Sequence, residues 1–257
     1  MFGLDPWIFW MAIGVTGFAG FVKGAIGFAM PMIMMSVFSS FLDATTALAL
    51  LIMPTLVTNI AQAFRQGWRA AWASVRDYWP HISMVILFIF ISAFFAPYLP
   101  PWLMYALLGV PIVAFAAWQL AGRSLVLPIH HRRRVEVITG IIGGLYGGIS
   151  GIWGPPLIVY LLSIGIGKVE QVRVQGVVFL IGAVVLVFAH LTSGVLNAQT
   201  LPLSLIMVIP AVVGMMIGFA LQDRLDVVQF RRWTLILLVM TGANLVRRSL
   251  EIWGWPI

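Results

Sequence analysis

Eight apolar runs follow one another along the chain, at about 8–40, 45–64, 80–98, 102–121, 137–163, 170–192, 200–222 and 228–246. About 20 helical residues cross the hydrocarbon of a bilayer at roughly 1.5 Å each, so runs of this length predict membrane helices. A transmembrane β-barrel would need alternating segments of about ten residues, and the sequence has no such pattern. Hydrophobic residues make up 61% of the chain and charged residues 9%. No soluble core could bury that excess, so the whole chain reads as an all-α polytopic membrane domain. The opening MFGLDPWIFW lacks a basic region and a small-residue cleavage site, so no removable signal peptide is expected.

The formal net charge is +7, but the basic residues cluster in loops between apolar runs. They read as topology signals facing anionic headgroups, so membrane lipid is an expected partner and nucleic acid is not. With no cysteine in the chain, a thiolate metal site, a disulfide framework and a thiol nucleophile are excluded. Neither a metal nor a cofactor is expected.

A shift of 127 positions lays the chain on itself. Gly17, Gly20, Gly24, Gly27 and Gly67 fall on Gly144, Gly147, Gly151, Gly154 and Gly194; Ser36 falls on Ser163 and Asp43 on Glu170. This ungapped register predicts a duplication, with one transmembrane repeat at 1–127 and the second at 128–257. The loop charges choose the relative orientation of the halves. If each Gly-rich segment crosses once, the halves are parallel. Nine Lys/Arg (65, 69, 76, 123, 132, 133, 134, 247, 248) then lie inside and five (168, 173, 224, 231, 232) outside. If each enters and returns as two short half-helices, the halves invert and only Arg247 and Arg248 lie outside, against 12 inside. The expected architecture is therefore two inverted repeats, each a Gly/Pro-broken re-entrant pair followed by three transmembrane helices.

Those Gly-rich segments carry the candidate site. Glycine and proline weaken helices, and broken backbone at membrane depth is tolerated only where protein covers it or a polar cavity adjoins it. Matched interruptions in two halves point to a transporter's central site. Half-helix N-termini there would aim N–H groups and a positive dipole end at an anion. Lys23 adds a full positive charge, and Ser150 takes its place in the second half. The substrate-binding set expected is Lys23, Gly24, Gly27, Asn59, Ser150, Gly151, Trp153, Gly154, Arg173 and Gln175. Against this stands a plainer reading, in which the glycines pack helices closely and Lys23 snorkels to an interface. Thr55, Thr58, Asn59 and Gln62 form one polar helix face, which either joins helices or lines the path. Asp43 and Glu170 read as N-terminal dipole partners, with Arg173 and Gln175 as a solvated helix start or an anion-collecting vestibule. His81 and His190 read as interfacial residues, and HHRRR as a topogenic loop.

The motifs GFVKGAIGFAMP, MPTLVTN and GGISGIWGPPLIVYLL resemble those of the sulfite exporter TauE/SafE family of bacterial membrane proteins, over nearly the whole chain. The family's commoner second-half motif is a run of three glycines, whereas this chain has Gly151, Trp153, Gly154 and Pro155. The resemblance implies export of sulfite, sulfoacetate or another organosulfur anion from the bacterial cell across the inner membrane.

The functional expectation is a secondary transporter of a small anion, working by alternating access between the two Gly-rich broken helices, and not an enzyme. All eight carboxylates (5, 43, 77, 136, 170, 223, 226, 251) fall in loops or near helix ends, which leaves no mid-membrane acid to carry protons. Two alternatives stay open: an anion channel with the same site, and a rhomboid-like serine protease using Ser150 in GISG with His190 as base. The oligomeric state is open, with a homodimer as first candidate.

Overall fold

The computed structural model describes residues 5–123, 126, 131–221, 224 and 226–254. The boundary expected at 127/128, His130 of the HHRRR loop, Asp223 and the side chain of Lys168 lie outside the described residues. The described residues form α-helices and no strand. In chain order these are α1 (Pro6–Ile26), α2 (Met30–Phe38), α3 (Ala44–Ala63), α4 (Trp68–Asp77), α5 (Trp79–Phe95) and α6 (Pro101–Leu120). They are followed by α7 (Arg132–Ser150), α8 (Gly154–Ser163), α9 (Lys168–Thr192), α10 (Thr200–Ile206), α11 (Val208–Leu221) and α12 (Val227–Trp253). Among the described residues, six segments are long and apolar enough to cross a membrane: 6–26, 44–63, 79–98, 101–120, 170–192 and 200–221.

Local chemistry explains the boundaries. Asp43 caps α3 by accepting the Thr46 N–H at 2.8 Å, and Asp226 caps α12 through the Val228 and Gln229 N–H groups at 3.1 Å. Gly27 (φ 84°) and Gly151 (φ 70°) end α1 and α7 in left-handed backbone. Pro54 lies inside α3 and lacks the N–H that the Leu50 carbonyl would receive. Ser204 supplies a replacement, donating to Leu50 O at 3.3 Å and accepting from the Met53 N–H at 3.1 Å. In an apolar surround such substitutes matter, because water is not there to provide them.

Both broken segments divide where the glycines predict, but unequally. The expectation of two short half-helices fails for the first arms. At 21 residues α1 is about 31 Å long, while α2 has nine residues. The chain reverses between them. Lys23 of α1 and Met30 of α2 both reach Thr58, near the C-terminal end of α3, and Asp43 then caps the other end of α3.

Side-chain registers fix the direction of each helix pair. Asn59 bonds to Phe179 O, while a Cβ on Gly176 would meet Gln62 and Ala63, so α3 and α9 run antiparallel. Ser249 donates to Trp102 O at 2.6 Å and Arg231 bonds Gln119, so α6 and α12 are antiparallel too. In contrast, Gly17, Gly20 and Gly24 of α1 face Pro210, Ala211 and Met215 in rising order, so α1 and α11 run parallel. Likewise Gly140 and Gly148 of α7 face His81 and Ser92 of α5. Glycine lets these backbones approach closely.

Candidate functional site

The two interruptions meet. The α1–α2 link and the α7–α8 link wall a cavity of about 30 Å³, room for a water or two. The first link contributes Phe28 and Ala29, with Lys23 below it; the second contributes Gly151 to Pro155; Thr55, Asn59 and Phe179 close the sides from α3 and α9. Ala29 holds φ 78° without being glycine, a strained backbone of the kind concentrated at functional sites. The left-handed backbone at Gly151 favours glycine there, and a Cβ would also press on the side-chain ends of Leu51 and Leu48.

Lys23 is only 3% exposed. Its ammonium donates to Thr58 Oγ1 at 2.9 Å and to Asn59 Oδ1, which uses two of its three N–H bonds. Thr58 is free to accept because its own hydroxyl donates to Pro54 O at 2.7 Å. Asn59 is oriented from behind, its Nδ2 donating to Phe179 O at 3.0 Å. Among the described residues no carboxylate lies within ion-pair distance of Lys23. A buried cation with only neutral partners is costly, and an anion beside it offsets that cost. Snorkelling is ruled out by this geometry, since Nζ is held between α1 and α3. Two further buried donors in the cavity wall, Thr55 Oγ1 and Trp153 Nε1, have no hydrogen-bond partner among the described residues.

The residues expected from sequence divide into two groups. Lys23, Asn59, Gly151, Trp153 and Gly154 come together around the cavity. Gly24 instead packs against Met215 and Gly218 of α11, and Gly27 makes the turn by donating its N–H to Lys23 O at 2.7 Å. Ser150 secures the end of α7, donating to Tyr146 O at 2.7 Å and accepting from the Ile152 N–H at 3.1 Å. Arg173 ties α9 to α4 by donating to Ser74 Oγ at 2.9 Å and to Gln66 at 3.2 Å. Gln175 is buried but outside the cavity wall. All four polar residues of the α3 face are buried; Gln62 donates to Gly27 O at 3.2 Å and braces the turn. Pro155 and Pro156 open α8 and remove two first-turn N–H donors, so positive charge at the cavity comes chiefly from Lys23.

Two histidines expected at the interface are fully buried. His81 sits against Glu136 O and Thr139 and stacks on Tyr160 at 5.8 Å, and His190 Nε2 contacts Gly148 O at 2.9 Å. The glycines of α7 expose its backbone, and these rings fill the exposed carbonyl positions. Ser150 and His190 are thus each committed to backbone groups and form no nucleophile–base pair with one another.

Sequence reasoning missed Phe28, Phe179 and the part played by Gly182. The α9 face bearing Gly182 reads as plain apolar. In the structure it receives the Trp153 indole, and a Cβ on Gly182 would lie 2.7 Å from that ring. The available signal was an isolated glycine inside a long apolar helix, which marks a close approach.

A family model described as Sulfite exporter TauE/SafE matches residues 12–245. No curated protein and no solved structure matches the chain.

Proposed function

This chain belongs to the TauE/SafE sulfite exporter family of membrane transporters, and from that premise we propose that it exports sulfite or an organosulfonate such as sulfoacetate by alternating access. The observation that carries the reading is Lys23: a buried ammonium, free of carboxylate partners among the described residues, in the wall of a cavity shared by both broken segments. A small oxyanion is its natural counter-charge, with the Thr55 hydroxyl as a further donor. Trp153 and Phe28 provide apolar walls that suit the carbon side of an organosulfonate.

At about 30 Å³ the cavity is too small to be a continuous pore, which favours a transporter over a channel. Loading it requires the two hairpin tips to part, first toward one side and then toward the other. Inverted halves supply two related ways of opening. Support for inversion comes from helices equivalent under the 127-residue shift: α3 with α9, and α6 with α12, run antiparallel. Repeats related by an axis along the membrane normal would place them parallel. On this reading each pair α1–α2 and α7–α8 enters and returns, the Arg-rich loops face the cytoplasm, and the membrane is the bacterial inner membrane.

None of the described carboxylates lines the cavity, so the reading needs no coupled proton. A negative-inside potential already favours anion export by about 2.3 kcal/mol per charge per 100 mV. The test is a proteoliposome uptake panel of sulfite, sulfate, sulfoacetate and taurine, with and without an imposed potential. Saturable flux of sulfite or sulfoacetate, accelerated by a potential positive on the receiving side, is expected. Flux of none of the four, or ohmic single-channel currents, would overturn the reading.

A further inference from the structure

We propose that the groove between α4 and α9 binds an anionic phospholipid, with an acyl chain in the groove and the headgroup at Arg69 and Arg76. This proposal is independent of what the protein transports. The helix α4, WRAAWASVRD, has three distinct sides. Ala71 and Ser74 are buried, and Ser74 Oγ accepts from Arg173 of α9. Trp68, Trp72 and Val75 recur at helical spacing and, with Phe64, form one wall of an apolar groove of about 250 Å³. Val177, Leu180 and Ile181 of α9 form the other wall. Arg69 and Arg76 share the remaining flank and are exposed.

The groove wall is built for a chain-like apolar occupant. Phe64, Trp68 and Trp72 stack in sequence, with centroids 5.6 and 6.4 Å apart and rings within 19° of parallel. Trp68 and Trp72 nevertheless stay 65% and 59% exposed, so the protein itself leaves this wall uncovered. Tryptophan beside arginine on a short amphipathic helix is the chemistry of a lipid interface. The charge selects among lipids. Arg76 meets Asp77 at 3.7 Å with both largely exposed, a pair that holds little, and Arg69 has no ion-pair partner among the described residues.

Comparison with the equivalent element sharpens the argument. Shifted by 127 positions, α4 falls on 195–204, VLNAQTLPLS, which has no arginine and no tryptophan. The aromatic and basic groups are therefore no requirement of the repeat's packing. The groove residues of α9 also alternate with Phe179 and Gly182, which face the cavity and the Trp153 indole. An acyl chain in the groove thus lies against the back of the helix that walls the cavity.

The experiment uses the full chain in phosphatidylcholine vesicles containing a small share of brominated phosphatidylglycerol, or the same share of brominated phosphatidylcholine. Tryptophan fluorescence is read, with Trp68→Phe/Trp72→Phe as the subtraction blank. The Trp68/Trp72 signal should be quenched severalfold more by the anionic lipid. Arg69→Gln/Arg76→Gln should lower the preference by about fivefold for each arginine removed. Equal quenching by both lipids would reduce the groove to ordinary bilayer contact and overturn the proposal. Quenching by neither would show that protein, such as a second copy of the chain, covers the groove. Preference surviving the double substitution would remove the arginines from the site.

Discussion

Lys23 and Asn59 are joined by a charge-assisted hydrogen bond at the place where the two broken segments meet. Because an ammonium can only donate, the Asn59 carbonyl oxygen must face Lys23, and the amide nitrogen is left to hold Phe179 O at 3.0 Å. Asn59 thereby links α1, α3 and α9 while leaving the site's charge at +1.

Changing Asn59 to aspartate alters that charge at nearly constant shape. Asn59→Asp places a carboxylate on the ammonium, so the protein should stay folded while sulfite no longer raises its melting temperature. Asn59→Ala should cost about 1–3 kcal/mol of stability, since Lys23 loses an acceptor in a buried place. Thermal unfolding with and without sulfite reads both. Sulfite-induced stabilisation of Asn59→Asp equal to wild type would exclude Lys23 as the anion's counter-charge.

The glycines of α1 make a second contrast. A Cβ on Gly20 would overlap the Ala211 carbonyl, and one on Gly214 would overlap the Gly17 carbonyl, whereas Gly14 has open space around it. Backbone cannot move aside as a side-chain end can, so Gly20→Ala and Gly214→Ala should each destabilise by about 1–3 kcal/mol. Gly14→Ala should instead stabilise by about 0.5–1 kcal/mol through helix propensity. Melting temperatures in detergent should move in opposite directions; movement in the same direction would mean that close crossing is not the use of these glycines.

Much of this arrangement was legible in the sequence because it rests on covalent exceptions. Glycine and proline change what a backbone can do, so Gly27, Gly151 and Pro155 announced the interruptions, and Lys23 announced itself by being charged among apolar residues. The length of α1 was not legible, since Gly14, Gly17 and Gly20 weaken a helix in isolation while α11 packs closely on them here. The local bonding of Ser150 was not legible either. Its equivalence to Lys23 fixes its position in the chain, but a hydroxyl that short bonds its own helix end and does not reach the cavity. Phe179 and Gly182 gave almost no signal, because apolar residues facing a cavity and facing lipid look alike in sequence.

The proposed inverted orientation has a direct test. The chain has no cysteine, so a single introduced thiol reports one position. Gln66 and Ala198 are both exposed and follow equivalent helices, α3 and α9. An impermeant maleimide added to intact cells should label Ala198→Cys and leave Gln66→Cys unlabelled until the membrane is opened. Labelling of both from the same side would require parallel halves.

Lys23 itself gives the most discriminating series. If its ammonium neutralises a bound anion, Lys23→Ala should abolish sulfite-induced stabilisation and transport. Lys23→Arg should keep part of both, because charge persists while the planar guanidinium fits the Thr58 and Asn59 acceptors differently. Lys23→Glu should be worst, placing like charges together where screening is poor. The alanine variant should still fold, and its melting temperature without ligand should equal or exceed that of wild type, since it removes a desolvated cation. Ser150→Ala loses only the hydroxyl's bonds at the end of α7, of order 1 kcal/mol, so its response to sulfite should persist. A wild-type response in Lys23→Ala would leave the lysine a structural link between α1 and α3 and move the anion site elsewhere.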